Sequence, residues 1–495
     1  MRRNIVIGLV GVAIMAGAAP SPTTAQAQDA AAGTGNAKAP TFNEDIAVIL
    51  YDNCASCHRT GQMAPMSLAS YKEARPWARA IKGKVLAREM PPWYADTRYG
   101  NFVNEILLTQ EEIDTIAAWA DAGAPEGTGK APAFPTFAEG WIHPSGADPD
   151  FVIEMPIEYE IPAQGQNENF SIYQDNPFDE VVDLQAIQLM PSNPRATHHS
   201  SLGARRLPAG TRLGRGLAFP GGPIIDNVPV SIDASESFDN SGDRSENEAV
   251  ESEDARRARR EREAFDVQGT ETFVFYVPAG GFKQWPAGIG KRIEPDDYLN
   301  WALHYNSTGV PETDRQRAGL WLQERPMTNE VLSRRVGQTH IAEGTELVAS
   351  SLDNDGRPRI PVIPPGDPDW AITGITAFQD DVTLYILWPH MHLRGKDMTF
   401  VVTYPDGREE VILHVPNYDF NWQLPYELDE PLKIPAGSTM KTIGHFDNSI
   451  QNRYNPAPHK EVYWDEQSWD EMFNGRIDYT VDKFDRRFEG SRINH

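Results

Sequence analysis

Cysteine is nearly missing from this chain: two residues in 495. That scarcity excludes a disulfide-stapled scaffold, and it leaves too few thiols for a four-cysteine zinc site. Basic residues are also under-represented, with 45 Lys and Arg against 71 Asp and Glu and a formal net charge of −26. Such a balance opposes binding to nucleic acid or to anionic lipid. It is compatible with a basic redox partner, although ordinary solubility is reason enough for it. Long apolar runs are missing too. After the first twenty residues nothing approaches the ~20 residues that a membrane-spanning helix needs.

The N-terminal stretch MRRNIVIGLVGVAIMAGAAP has Arg2 and Arg3 ahead of a short apolar core, and Ala25-Gln26-Ala27 supplies a small-x-small cleavage site. Residues 1–27 therefore read as a secretory signal peptide. The expected location is a bacterial periplasm or the exterior, with no stable membrane insertion once the signal is removed. Residues 28–40 and 131–149, rich in Ala, Gly and Pro, read as linkers.

The two cysteines sit together as Cys54-Ala55-Ser56-Cys57-His58. C-x-x-C-H is the attachment signature of c-type haem: both thiols bond to the porphyrin and the adjacent histidine takes one axial position on iron. The alternative, a reactive dithiol, fits an exported chain poorly. Around the motif, residues 41–130 look helical. Phe42 to Asp52 is apolar-periodic, Trp77, Ile81, Val85 and Leu86 mark one helix face, and Thr109 with Glu112 forms a capping-box pattern ahead of Ile113, Ile116 and Trp119. A small helical segment with one C-x-x-C-H resembles cytochrome c, which implies an all-α haem domain. Met63, Met66 and Met90 are the candidates for the second axial ligand. Met90 is preferred, because Pro91 and Pro92 end the preceding helix and stiffen the loop that presents it. His/Met ligation fills both axial positions, so such a haem moves electrons and the chemistry must lie elsewhere.

Beyond residue 150 the pattern becomes short alternating segments: Phe151–Tyr159, Val181–Leu189, Thr272–Val277, Leu299–Tyr305, Val382–Trp388, and Met398–Tyr404 with Glu410–Val415 around the turn Pro405-Asp406-Gly407. This predicts two antiparallel β-sandwich domains, over 150–338 and 339–495. Residues 231–263, acidic and then arginine-rich with almost no apolar content, read as a disordered surface insertion.

Histidines in the β region fall in suggestive places. His198-His199 are adjacent, and a strand end or bulge can turn both onto one ion. His304 lies in a strand-like run. His390 and His392, at i and i+2, share one face of a strand and can bind one metal together. Taken together these segments resemble the copper type II, ascorbate-dependent monooxygenases, which include peptidylglycine α-hydroxylating monooxygenase and dopamine β-monooxygenase. The resemblance covers about residues 150–485. It implies two jelly-roll-like sandwiches, each holding one copper, facing across a solvent-filled cleft. It assigns His198, His199 and His304 to the first copper. The second takes His390, His392 and Met472, the last within Trp469-Asp470-Glu471-Met472-Phe473-Asn474. It further implies that the methionine-bearing copper activates O2 and abstracts hydrogen from a small organic substrate, while the all-histidine copper stores the second electron.

The pattern departs from the family at three points. The β region has no cysteine. Trp388 and Arg476 stand where the peptide-processing members carry a carboxylate-binding arginine and a tyrosine, although Asn474 matches the polar residue two after the methionine; a peptidylglycine substrate is therefore not expected. The haem segment has no counterpart in the animal enzymes, and it would supply electrons from an ascorbate-like reductant or a periplasmic redox protein. Met440 is a rival ligand in the last sandwich, and His445 a near-site candidate, whereas His143, His340, His414 and His459 have no companion spacing. The competing readings are a non-catalytic electron carrier with a docking β module and a copper-storage protein.

Overall fold

The alternation that begins at Phe151 gives each strand one apolar face, and that face needs a second sheet to cover it. In the computed structural model this happens twice. The structure describes residues 39–482 apart from 139, 166–168, 208–210, 218–223, 232–269, 279, 337–344, 348–350, 353–357, 360–361 and 463–467. The expected signal peptide, most of the linker 28–40 and all but the first residue of the insertion 231–263 lie outside the described residues, as does His340. Pro40 to His495 belongs to one structural unit.

In the first sheet pair, Val182–Met190 lies between Arg317–Leu322 and Ile289–Ile293, with Phe151–Glu154 beyond Arg317–Leu322. Opposite it runs a sheet ordered Asn169–Asp175, Tyr298–Tyr305, Thr197–Arg205, Thr270–Tyr276. Leu184, Ile187 and Leu189 from one sheet and Leu202, Leu299, Trp301 and Leu303 from the other share a single buried core. In the second pair, the order Leu332–Val336, Asn474–Val481, Val382–His390, Tyr426–Ile434 faces a sheet ordered Thr345–Leu347, Trp370–Ala377, Thr439–Phe446, Gly395–Thr403, Glu409–Val415. Leu384, Leu387 and Ile477 pack there against Ile372, Phe400, Met440 and Phe446. Leu332–Val336 pairs with Asn474–Val481, so the chain has crossed to the second sheet pair by Leu332, ahead of residue 338. Gly407, at φ 84°, makes the turn between Gly395–Thr403 and Glu409–Val415.

The expectation of an all-α, cytochrome c-like domain over 41–130 is overturned. The α-helices there are short: Ala47–Asn53, Tyr71–Ala74, Ala78–Leu86 and Gln110–Asp121, of 7, 4, 9 and 12 residues. The capping box at Thr109 and Glu112 is present, and Ile113, Ile116 and Trp119 are buried. Between the last two helices, however, the chain abandons helix and joins the second sheet pair. Asp96 donates to the His414 carbonyl at 2.8 Å, Val103 to Glu427 at 2.9 Å, and Asp429 donates back to Asn101 at 2.9 Å. Trp93 and Phe102 are buried with Tyr426, at ring separations of 4.9 and 5.4 Å. The physical reason is that Pro91, Pro92 and Gly100 break the periodic run, and the two freed aromatics bury more surface against a sheet than a short helix cluster offers. Among the described residues, no helix is long and apolar enough to cross a membrane.

Phe102 is therefore a rivet between the helical segment and the sheets. Phe102→Ala is expected to cost about 3–5 kcal/mol in urea unfolding, with faster proteolysis between residues 88 and 108. An unchanged midpoint would mean that this segment is not docked.

Candidate metal centres

His198 and His199 come from the strand Thr197–Arg205 and His304 from its neighbour Tyr298–Tyr305. His304 is opposite His199, but Tyr305 is opposite Thr197, so the register shift leaves His198 as the extra residue of a bulge. The bulge turns two consecutive side chains the same way. Nδ1 of His198 lies 3.2 Å from Nδ1 of His199 and 3.3 Å from Nδ1 of His304. His198 and His304 are buried. Burial pushes the His198 imidazole down to about 4, and holds His199 well below the ordinary histidine range with help from the neighbouring imidazoles. Neutral rings whose Nδ1 atoms converge can hold a cation between them.

The second group assembles from more distant parts. His390 ends the strand Val382–His390 and is opposite Asn474 on Asn474–Val481, which brings Met472 alongside. Nε2 of His390 is 3.3 Å from Sδ of Met472. His390 Nδ1 donates to Oε1 of Gln423, whose own Nε2 donates to the Phe420 carbonyl at 3.1 Å. His392 Nδ1 donates to the Asp470 carbonyl at 3.3 Å. Both rings thus carry the proton on Nδ1, leaving Nε2 as the donor atom. The two rings are perpendicular, with centroids 5.3 Å apart. Asn474 points its amide at the Met472 sulfur, at 3.4 Å. Burial, with His392 and Arg476 nearby, holds His390 well below the ordinary range.

The H-x-H turn is pinned beneath. Glu471 accepts from the amides of His392 at 2.8 Å and Arg394 at 2.6 Å, and the buried Arg394 guanidinium lies 3.9 Å away. Burial pushes the Glu471 carboxyl up to about 8, against the pull of Arg394 and these amides. Tyr418 clamps Met391 by accepting from its amide at 3.0 Å and donating to its carbonyl at 2.7 Å. Gly395 allows the close approach: a Cβ there would lie 2.6 Å from Met391 Cβ and 2.9 Å from the Tyr418 ring.

The two groups are close neighbours. Phe420 has ring centroids 5.7 Å from His198, 5.9 Å from His304 and 5.9 Å from His392. One aromatic side chain thus touches both sets. Trp388 and Phe275 lie behind them: their rings are 3.9 Å apart, Phe275 stacks on His199 at 5.5 Å, and Trp388 Nε1 donates to the Gln423 carbonyl at 3.2 Å.

Trp388 and Phe275 also line a cavity of about 980 Å³, which takes in Cys54, Cys57, His58, Met63, Met66 and Met90. That volume falls in the ~300–1,000 Å³ range of cofactor sites. His58 Nδ1 donates to the Met66 carbonyl at 3.3 Å, which leaves Nε2 for a metal. Burial pushes the Cys54 thiol up to about 12 and raises Cys57 as well. All three candidate methionines border the cavity.

Other candidates go elsewhere. Met440 lies in the hydrophobic core of the second sheet pair, packed with Phe400 and Phe446. His445 pairs with Asp397 at 2.6 Å, opposite it in the sheet, and His414 contacts Thr399 at 2.8 Å. His143 contacts Ser145 at 2.7 Å and stacks on Trp321. Gln423, Phe420, Tyr418 and Phe275 escaped the sequence reading. The only trace of the first three is an unusual aromatic and amide run, Tyr418-Asp419-Phe420-Asn421-Trp422-Gln423.

No family model and no curated protein matches this chain. Among solved structures, PNGF-II aligns at 9% identity and TM-score 0.20, over 73% of this chain, which spans 66% of that protein's length. A Paenibacillus xanthan lyase aligns at 10% identity and TM-score 0.16, over 74% of this chain and 29% of its own. Agreement at this level carries no argument about fold or function.

Two outcomes follow from the geometry. Glu471→Ala leaves the amides of His392 and Arg394 without their acceptor, so chemical denaturation should show a loss of about 1–3 kcal/mol for each amide left unsatisfied. A cost below ~1 kcal/mol would show that these two hydrogen bonds do not hold this turn. Before any haem is attached, burial pushes the Cys54 thiol up to about 12, so it carries far less thiolate at neutral pH than an exposed cysteine. Iodoacetamide should label it far more slowly in the folded chain than in urea, and equal rates would contradict the burial.

Proposed function

We propose that this chain is an exported, haem c-containing copper monooxygenase that uses O2 to hydroxylate a C–H bond of a small organic substrate. One observation carries the reading: His390 and Met472, 82 positions apart in sequence, meet at 3.3 Å. Two imidazoles with a thioether are a donor set for copper, because the soft sulfur favours the cuprous state and is a poor ligand for magnesium or calcium. The all-imidazole set beside it is equally suited to copper. Copper held at these two sets would supply oxygen activation at His390, His392 and Met472 and storage of one electron at His198, His199 and His304. Haem c joined to Cys54 and Cys57, with His58 on iron and Met90 as the preferred sixth ligand, would supply one-electron relay.

The chain's own residues prepare this chemistry. Gln423 and the Asp470 carbonyl keep the Nδ1 protons in place, so both Nε2 lone pairs stay inward. Asn474 orients the sulfur. Phe420 and Phe275 set apolar rings against the histidines, which favours neutral imidazole and keeps ligand nitrogens available well below neutral pH. Electrons would come from an ascorbate-like reductant or a periplasmic redox protein.

Metal analysis of the holoprotein should return one copper per donor set. Reduced protein should consume oxygen in the presence of the right member of a panel of small C–H substrates. Met472→Ile should abolish that uptake and leave the haem absorption bands unchanged. Gln423→Ala should weaken copper binding about 10–100-fold. Copper binding with no substrate-linked oxygen uptake would instead indicate a storage protein, and the absence of copper an electron carrier.

A further inference from the structure

The cavity wall opposite the C-x-x-C-H motif carries an unusual row. Arg335, Arg476 and Trp388 are directly opposite one another on three adjacent strands, and all three line the cavity. Like charges directly opposite in an antiparallel pair repel. The Arg476 guanidinium lies over the Trp388 ring at 4.9 Å, and its Nε is buried without a hydrogen-bond partner. Burial and Arg335 pull this guanidinium down to about 9, with Asp478 as the opposing attraction. The neighbouring carboxylates are engaged: Asp478 accepts from Ser333 at 2.7 Å, Glu271 accepts from the Ser333 amide at 3.1 Å and from Lys291 at 3.3 Å, and Glu427 pairs with Lys283 at 2.5 Å. A half-buried arginine whose buried Nε has no partner, beside a second arginine and facing a cofactor-sized space, has the chemistry of a carboxylate receptor.

We infer that Arg476, backed by Arg335, receives the carboxylate edge of a tetrapyrrole attached at Cys54 and Cys57, and so seats that edge against Trp388. This rests on the haem reading above. The consequence is positional. Trp388 touches Phe275, which stacks on His199, and it is hydrogen-bonded to the Gln423 backbone, whose side chain holds His390. An edge seated on Arg476 therefore lies one side chain away from partners of both donor sets. Arg476 is a positioning residue in this scheme and takes no part in bond making.

The test uses full-length holoprotein stripped of copper by chelation, so that only the haem reports. In spectroelectrochemical titration, Arg476→Gln should shift the ferric/ferrous equilibrium about tenfold toward ferric, because a positive charge beside the ring has been removed. Arg476→Lys, which keeps the charge, should recover most of the shift. Wild-type protein provides a second measurement that needs no variant. Its haem carboxylates should resist carbodiimide-driven amidation when folded and react in urea, as read by mass spectrometry of the haem peptide. Equal potentials in all three proteins, or equal amidation folded and unfolded, would overturn the inference. A substrate carboxylate as the true occupant would give that same null result in the haem titration, with Arg476→Gln altering only substrate-linked oxygen uptake. Absence of covalent haem in a pyridine haemochrome assay would instead sink the haem reading itself.

Discussion

The register of the strand Asn474–Val481 between Leu332–Val336 and Val382–His390 is the constraint on which the rest of the molecule depends. It sets Asn474 opposite His390 and Arg476 opposite both Trp388 and Arg335. Because strand side chains alternate with a period of two, a slip of one residue would turn Arg476 away from the cavity and carry Met472 away from His390. Deep packing guards against the slip. Ile477 and Phe473 are buried in the second core, and at Gly475 an added Cβ would lie 2.5 Å from the Thr442 hydroxyl and 2.8 Å from the Val336 carbonyl, so the strand has almost no lateral freedom. The candidate chemistry sits at the end of this strand and inherits its rigidity.

Burial does the second part of the work. Histidines in water near neutral pH are partly protonated and poor ligands. Here the apolar rings of Phe275 and Phe420 and the neighbouring imidazoles favour the uncharged form. The same burial raises the Glu471 carboxyl and the Cys54 thiol, so one physical cause acts in opposite directions on bases and acids. Arg394, Tyr418 and Gln423 show how the protein offsets that cost locally: Arg394 donates to the Trp469 carbonyl, Tyr418 to the Met391 carbonyl, and Gln423 accepts from His390.

The helical segment is organised by the sheets it touches. Trp93 and Phe102 leave it to join Tyr426, and the space that remains between its C-x-x-C-H motif and the two sheet pairs is the cavity. A free-standing helical domain would close its own core around the motif. Here part of the enclosure comes from Phe273, Phe275 and Phe282 of the first sheet pair and Trp388 of the second, which makes the cavity wall and the histidine neighbourhood continuous.

Much of this was legible one segment at a time. Period-two alternation marked several strands closely, as at Leu299–Tyr305 against Tyr298–Tyr305, but ran Phe151–Glu154 and Tyr159–Ile161 together as one segment; the capping box marked Gln110–Asp121. Adjacent and i, i+2 histidines marked the candidate donor positions, because those spacings are local geometry. The all-α domain was misread because helical periodicity in three short runs says nothing about what the residues between them bury against. Gln423, Phe420 and Phe275 were not visible as site residues, since an amide or a phenyl ring has no signature until another strand places an imidazole beside it. Short-range pattern by itself determined which residues point to which side of each element. Tertiary structure alone decided which of those sides meet, because contacts between residues 82 apart are selected by the packing of whole sheets and leave no local trace.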